Sequence, residues 1–103
     1  MLSTTIEKHG AVLAVRVDGR LDTVNTPVLE EELKPCLDEE IRQVVMDFAG
    51  VDYISSSGLR MLLILEQEME SRGGKVQILH ANEDIMSIFN MVGFVNVVHV
   101  VTD

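Results

Sequence analysis

Cysteine occurs once, proline twice, and lysine and arginine together only eight times in a chain of 103 residues. Each scarcity excludes something. The lone Cys36 has no companion with which to form an internal disulfide or a metal site, which suits a reducing compartment. Beside Pro35 it reads as a small, partly buried hydrophobe. Few prolines, no low-complexity run and 47% hydrophobic residues speak against disorder and for a chain that buries its own core. No apolar run approaches the roughly 20 residues that span a bilayer, and the N-terminus lacks the basic-then-apolar order of a secretion signal. A cytoplasmic protein without membrane insertion is expected. With 17 acidic against 8 basic residues the formal net charge is -9, so nucleic-acid phosphate would be repelled. The acid gathers at Glu30–Glu32, Asp38–Glu40 and Glu66, Glu68 and Glu70. Such clusters are normally solvated helix faces, and they also speed encounter with a basic partner. A chain of this length holds one compact domain, expected over residues 1–103.

What is present is an alternation of two periods. Thr4 to Lys8 and Ala11 to Val17 are short β-type runs separated by His9-Gly10, which predicts an antiparallel hairpin. Asp18 to Asp22 reads as a turn, and Asn25 or Thr26 can cap a helix that carries Pro27 in its first turn. That helix is expected over 27–34, with Pro35 ending or kinking it. Ile41 to Phe48 is near-continuously apolar, as for a central strand covered on both faces. From Ser57 to Arg72 the period is helical, with Leu59, Leu62 and Leu63 on one face and Gly73-Gly74 as the stop. Its first two turns are apolar almost all round, so the helix is either deeply buried or leaves one flank for docking. Val76, Ile78 and Leu79 form another strand, Asn82 starts a short helix through Met91, and Phe94 to Val101 is read as a last strand. The order is β-β-α-β-α-β-α-β. Strand, helix and strand in succession call for parallel neighbours and right-handed crossovers, hence an α/β fold with a mixed sheet and helices packed on it.

The segment from Asp47 to Leu59 places three consecutive hydroxyls, Ser55, Ser56 and Ser57, where a buried strand gives way to an apolar helix. The first amides of a helix lack intrahelical partners and point outward. A serine there either caps the helix or carries a phosphate stabilised by those N–H groups and the helix dipole.

The order of elements and the wording of this junction resemble the STAS domain of bacterial anti-sigma factor antagonists, over nearly the whole chain. Gly19-Arg20-Leu21-Asp22 is similar to the family's G-x-L-D turn. Asp47 to Ile54 is similar to its D-[LF]-x-x-V-x-[YF]-[IM] segment, and Ser56-Ser57-Gly58-Leu59 to its S-[ST]-G-L. Phe89 to Phe94 resembles its late apolar segment with a glycine. The resemblance implies phosphorylation of Ser56, with Ser57 as second choice, by an anti-sigma factor that is also a serine kinase of the GHKL ATPase type. It further implies that the unmodified protein sequesters this kinase, that phosphorylation releases it, and that a PP2C-type phosphatase restores binding. No resident cofactor or metal is implied. The family commonly has Asp immediately before the serine, where this chain has Ser55. The partner-contacting set expected on these grounds is Asp22, Asp52, Tyr53, Ser55, Ser56, Ser57, Gly58, Met61 and Leu65. Asp22 has an alternative reading as a turn or capping residue, and Met61 and Leu65 as core.

Three other classes are weighed against this one. An enzyme lacks its machinery here: there is no G-x-S-x-G and no S-x-x-K, and His9, His80 and His99 have no spacing that suggests a triad or metal site. An acyl carrier would share the acidic charge and the modified serine, but it is a helical bundle, which the Val-rich runs oppose. A STAS module that is never phosphorylated, acting as a scaffold in a signalling or transporter-associated complex, fits the Ser55 departure.

Overall fold

The computed structural model describes residues 2–101; Met1, Thr102 and Asp103 lie outside the described residues. Strands β1 (Leu2–His9) and β2 (Val12–Leu21) form the antiparallel hairpin, and Gly10 takes positive φ in its turn. Helix α1 (Asn25–Leu33), strand β3 (Gln43–Ile54), helix α2 (Ser56–Ser71), strand β4 (Lys75–Leu79), helix α3 (Glu83–Met91) and strand β5 (His99–Val100) follow. The sheet order is β1-β2-β3-β4-β5, with every pair after the first parallel. Right-handed crossovers that always step the same way along a sheet put their helices on one side of it. Burial follows that geometry. On β2 and β3, Leu13, Val15, Val17, Val44, Met46 and Phe48 are buried, while the alternate residues Ala14, Arg16, Val45 and Asp47 are half-buried or exposed.

Several expectations need correction. β3 is central in the sheet, yet it is covered on one face and not on both; its other face carries Val45, Asp47 and a Gln43–Gln77 side-chain hydrogen bond of 2.9 Å. Asp18 to Leu21 continue β2 instead of turning, because irregular register with β3 accommodates the glycines of both strands there. Neither Asn25 nor Thr26 caps α1: the cap residue is Val24, and Asp22 supplies the acceptors. Pro35 ends α1 as expected, within a 3-10 turn over Lys34–Cys36. Phe94 to Val101 is mostly not strand. Phe94–Asn96 is a 3-10 turn entered through Gly93 at φ 72°, and the strand is two residues long. An apolar run cannot distinguish the two, and Phe94 and Val98 still reach the core.

Glu66 is a further surprise within an acidic cluster that reads as solvated. Its side chain is buried, and both carboxylate oxygens lie 3.1 and 3.3 Å from the backbone nitrogen of Val76. The reason is local. Pairing between β4 and β5 stops at Gln77, one residue beyond Val76, so β5 offers Val76 no partner and the carboxylate accepts its N–H instead. Gly74 closes the same corner, since a Cβ there would lie 1.5 Å from the carbonyl oxygen of Arg42. On the far side, Lys8 of β1 holds Asp38 at 2.8 Å, which keeps that carboxyl below its ordinary range and ties the hairpin to the loop before β3. Glu66→Ala, which strands a buried donor, is expected to lower the unfolding free energy in urea by about 1–3 kcal/mol, and Glu66→Gln by clearly less because the amide oxygen still accepts. Equal stability of Glu66→Ala and the unaltered chain would refute this role.

Candidate functional site

Parallel strands end together, so the starts of the helices that follow them also gather at one edge. Three starts meet there. The end of β2 turns into α1 at Asp22, whose Oδ1 accepts from the N–H groups of Val24 at 3.1 Å and Asn25 at 2.8 Å. Its backbone oxygen accepts from the Thr26 hydroxyl at 2.7 Å. Asn82 caps α3 by accepting from the Ile85 N–H, and its side-chain amide donates to the Val51 carbonyl at 3.1 Å, which anchors that start to β3. Between them lies Ser55, the cap of α2.

Ser55 has extended backbone, and its hydroxyl both donates to the Leu21 carbonyl at 2.9 Å and accepts from the Gly58 N–H at 3.3 Å. Its own N–H also donates to Leu21. A hydroxyl can do both because it carries one donor and two lone pairs; an ionised Asp, acceptor only, could cap but would face the Leu21 oxygen with like charge. Gly58 completes the close approach: a Cβ on it would stand 2.8 Å from Ile54 Cγ1 and 3.1 Å from the Leu21 oxygen. The helix start is thereby pressed onto the ends of both strands. Ser56, the first helical residue, is left exposed, and Ser57 is half-buried.

Around this point the structure sorts the expected site residues. Asp22, Asp52, Tyr53, Ser55, Ser56 and Ser57 surround the junction, with Asp52 and Tyr53 exposed and Asp22 half-buried. Gly58, Met61 and Leu65 are buried, Met61 and Leu65 keeping only 6% of their surface, in keeping with the core reading that Met61 and Leu65 also carry. Helical geometry turns Met61 and Leu65 toward α1, while Ile64, at 57%, takes the exposed flank. Arg20, which stacks over the Tyr53 ring at 4.3 Å and lies 3.9 Å from Asp22, joins the two turns. It sits inside the quoted turn, but only the β2–β3 pairing of Arg20 with Tyr53 reveals the contact. A cleft of about 320 Å³ opens from Ser56 and Arg60 between α2 and the α3 end, with Leu63 facing Val92, Phe94 and Val97. A second, of about 190 Å³, runs from Ser57 and Arg60 to Thr23 and Pro27 of the α1 turn. Arg60 carries no sequence signal of its place here, and Asn82, legible as the start of α3, carries none of its bond to Val51. Among the described residues there is no group of three or more His, Cys, Asp or Glu able to hold a metal, and no helix long and apolar enough to cross a membrane.

A mixed sheet with helices on one face and three helix starts at its edge defines the class: an α/β domain with one covering layer and a hydroxyl displayed on a helix start. The STAS domain model matches residues 3–103. The anti-sigma-B factor antagonist of Staphylococcus epidermidis is 30% identical over 92 residues, 89% of this chain and 85% of that protein. In fold, an anti-sigma factor antagonist from Mycobacterium paratuberculosis superposes with a TM-score of 0.87 at 20% identity, covering 100% of this chain and 87% of that one. The Bacillus cell fate determinant SpoIIAA in its phosphorylated form superposes with a TM-score of 0.75 at 16% identity, covering 98% and 93%. The chain belongs to the STAS-domain anti-sigma factor antagonist family.

Ser55→Ala, losing the cap and the bond to Leu21, is expected to cost about 1 kcal/mol or more in thermal or urea unfolding. Ser55→Asp, a cap that can only accept, should not exceed the unaltered chain in stability; a clear gain would contradict the double role of this hydroxyl.

Proposed function

We propose that the chain is a phosphorylation-switched antagonist: unmodified, it sequesters an anti-sigma factor that is also a serine kinase of the GHKL ATPase type, and so frees a sigma factor in the cytoplasm. The kinase transfers the γ-phosphoryl of ATP to Ser56 Oγ, the hydroxyl proton departs and ADP leaves. The modified form lets go, and a PP2C-type phosphatase hydrolyses the ester. One observation carries the choice of residue. Of three adjacent hydroxyls, Ser55 is engaged by the fold and Ser57 is half-buried, whereas Ser56 is exposed on the first residue of α2. That SpoIIAA, a protein of the same fold, exists in a phosphorylated form supports the reading.

The energetics favour blockade over refolding. Phosphoserine brings about -1.5 to -2 charges at pH 7. At a helix start the dipole offsets roughly 0.3–1 kcal/mol of the local cost, so the fold should tolerate it. A partner surface packed over Ser56 would not, since burying an unpaired dianion costs several kcal/mol. Moving a complex from 99:1 bound to 1:99 takes only about 5.5 kcal/mol. Asp22, Asp52, Tyr53 and Ser57 are the proposed partner contacts around it.

The cognate kinase with ATP is expected to add one phosphate at Ser56 with nearly unchanged circular dichroism, and a large loss of structure would contradict blockade. In a pull-down from the native cell, Ser56→Ala should retain an ATPase-type partner and Ser56→Asp should lose it. Equal retention would favour the unphosphorylated scaffold, the reading that Ser55 in place of the family's usual acid supports.

A further inference from the structure

We propose that Arg60 is the intramolecular counter-ion that a phosphate on Ser56 recruits, an inference that rests on the reading of Ser56 as the modified residue. The placement carries it. Ser56 and Arg60 stand four residues apart on α2, where side chains are neighbours with Cβ atoms roughly 5–6 Å apart. A long helical side chain lies back over the turn that precedes it, which for Arg60 is the turn of Ser56 and Ser57. Arg60 accordingly lines both clefts that flank these hydroxyls, one with Ser56 and the other with Ser57.

The other arginines are committed. Arg16 pairs with Asp18 and Asp47, Arg20 with Asp22 and the Tyr53 ring, Arg42 with the carbonyls of Glu39 and Ile41, and Arg72 with those of Leu37, Asp38 and Ile41. Arg60 is exposed and has no such partner among the described residues.

Its charge also stands at the wrong end of the helix. The first turn of α2 contains no acid of its own, so within the helix Arg60 meets the positive end of the dipole unopposed. The charged groups facing it from other elements are Glu30 of α1, across the cleft that Arg60 shares with Ser57, and Asp22 and Asp52 at the junction. An anion arriving at Ser56 satisfies the dipole and the guanidinium together. The guanidinium fork matches phosphate oxygens, and the cleft beside the pair is walled by the apolar side chains of Leu63, Val92 and Val97. Phosphorylation then also occupies the free cation of the face that a partner would meet.

The test needs no kinase. Phosphoserine is installed at position 56 during translation, and the second ionisation of the phosphate is followed by phosphorus NMR in the full chain and in Arg60→Gln and Arg60→Lys. A neighbouring cation favours the dianion, so the unaltered chain should titrate about 0.2 to 0.4 unit below Arg60→Gln, with Arg60→Lys between them. Coincident titrations of the unaltered chain and Arg60→Gln, with both folded by circular dichroism, would overturn the proposal. Because the phosphate is supplied by translation, a failed Ser56 pull-down beside a shifted titration sinks the switch and leaves the ion pair standing.

Discussion

The Leu21 carbonyl takes two hydrogen bonds from one residue, the amide and the hydroxyl of Ser55, each at 2.9 Å. This joins the last residue of β2 to the cap of α2 and closes the parallel β2–β3 pair at the edge where the helix starts gather. Everything at that edge inherits its position from the joint. Gly58 can approach because it has no Cβ, Ile54 and Leu21 fill the space beneath it, and Ser56 has nowhere to point but outward. A rigid support under an exposed hydroxyl is what a switch by local charge requires, since the added group then alters the surface and not the core.

Charge is distributed to the same end. The acidic excess lies largely on helix faces and loops, and the exception, Glu66, is consumed within the fold by the Val76 amide. The start of α2 is left without acid and with one arginine. A helix start with no acid in its own first turn, on a strongly negative protein, can accommodate an added anion internally, while a partner fitted over the unmodified surface would lose the fit. The clefts on either side, one beside Ser56 and one beside Ser57, would give such a partner something to pack on besides the serine.

Element identity was legible almost throughout, because period and punctuation agree: the β1–β2 hairpin at Gly10, α1 ending at Pro35, α2 ending at Gly73-Gly74 and α3 capped by Asn82. The misreadings share a cause. Asp18 to Leu21 contain turn-type residues yet stay in the strand, because β3 pairs with them through irregular register. Phe94 to Val98 are apolar yet coil into a 3-10 turn, because burial of Phe94 and Val98 can be reached without a strand. Glu66 looks solvated and is buried, because its partner is a backbone amide in a strand ten residues away whose own neighbour ends early. Each depends on a second segment that local pattern does not contain.

For the site, the residue types at the junction and their position at a strand-to-helix boundary followed from the amino-acid order alone, and so did the family. Which of the three serines faces outward did not. That choice depends on Leu21 of another strand offering its carbonyl to Ser55. Periodicity determines which faces of an element are apolar; only packing between distant segments decides which polar atoms are already satisfied and which remain free to react.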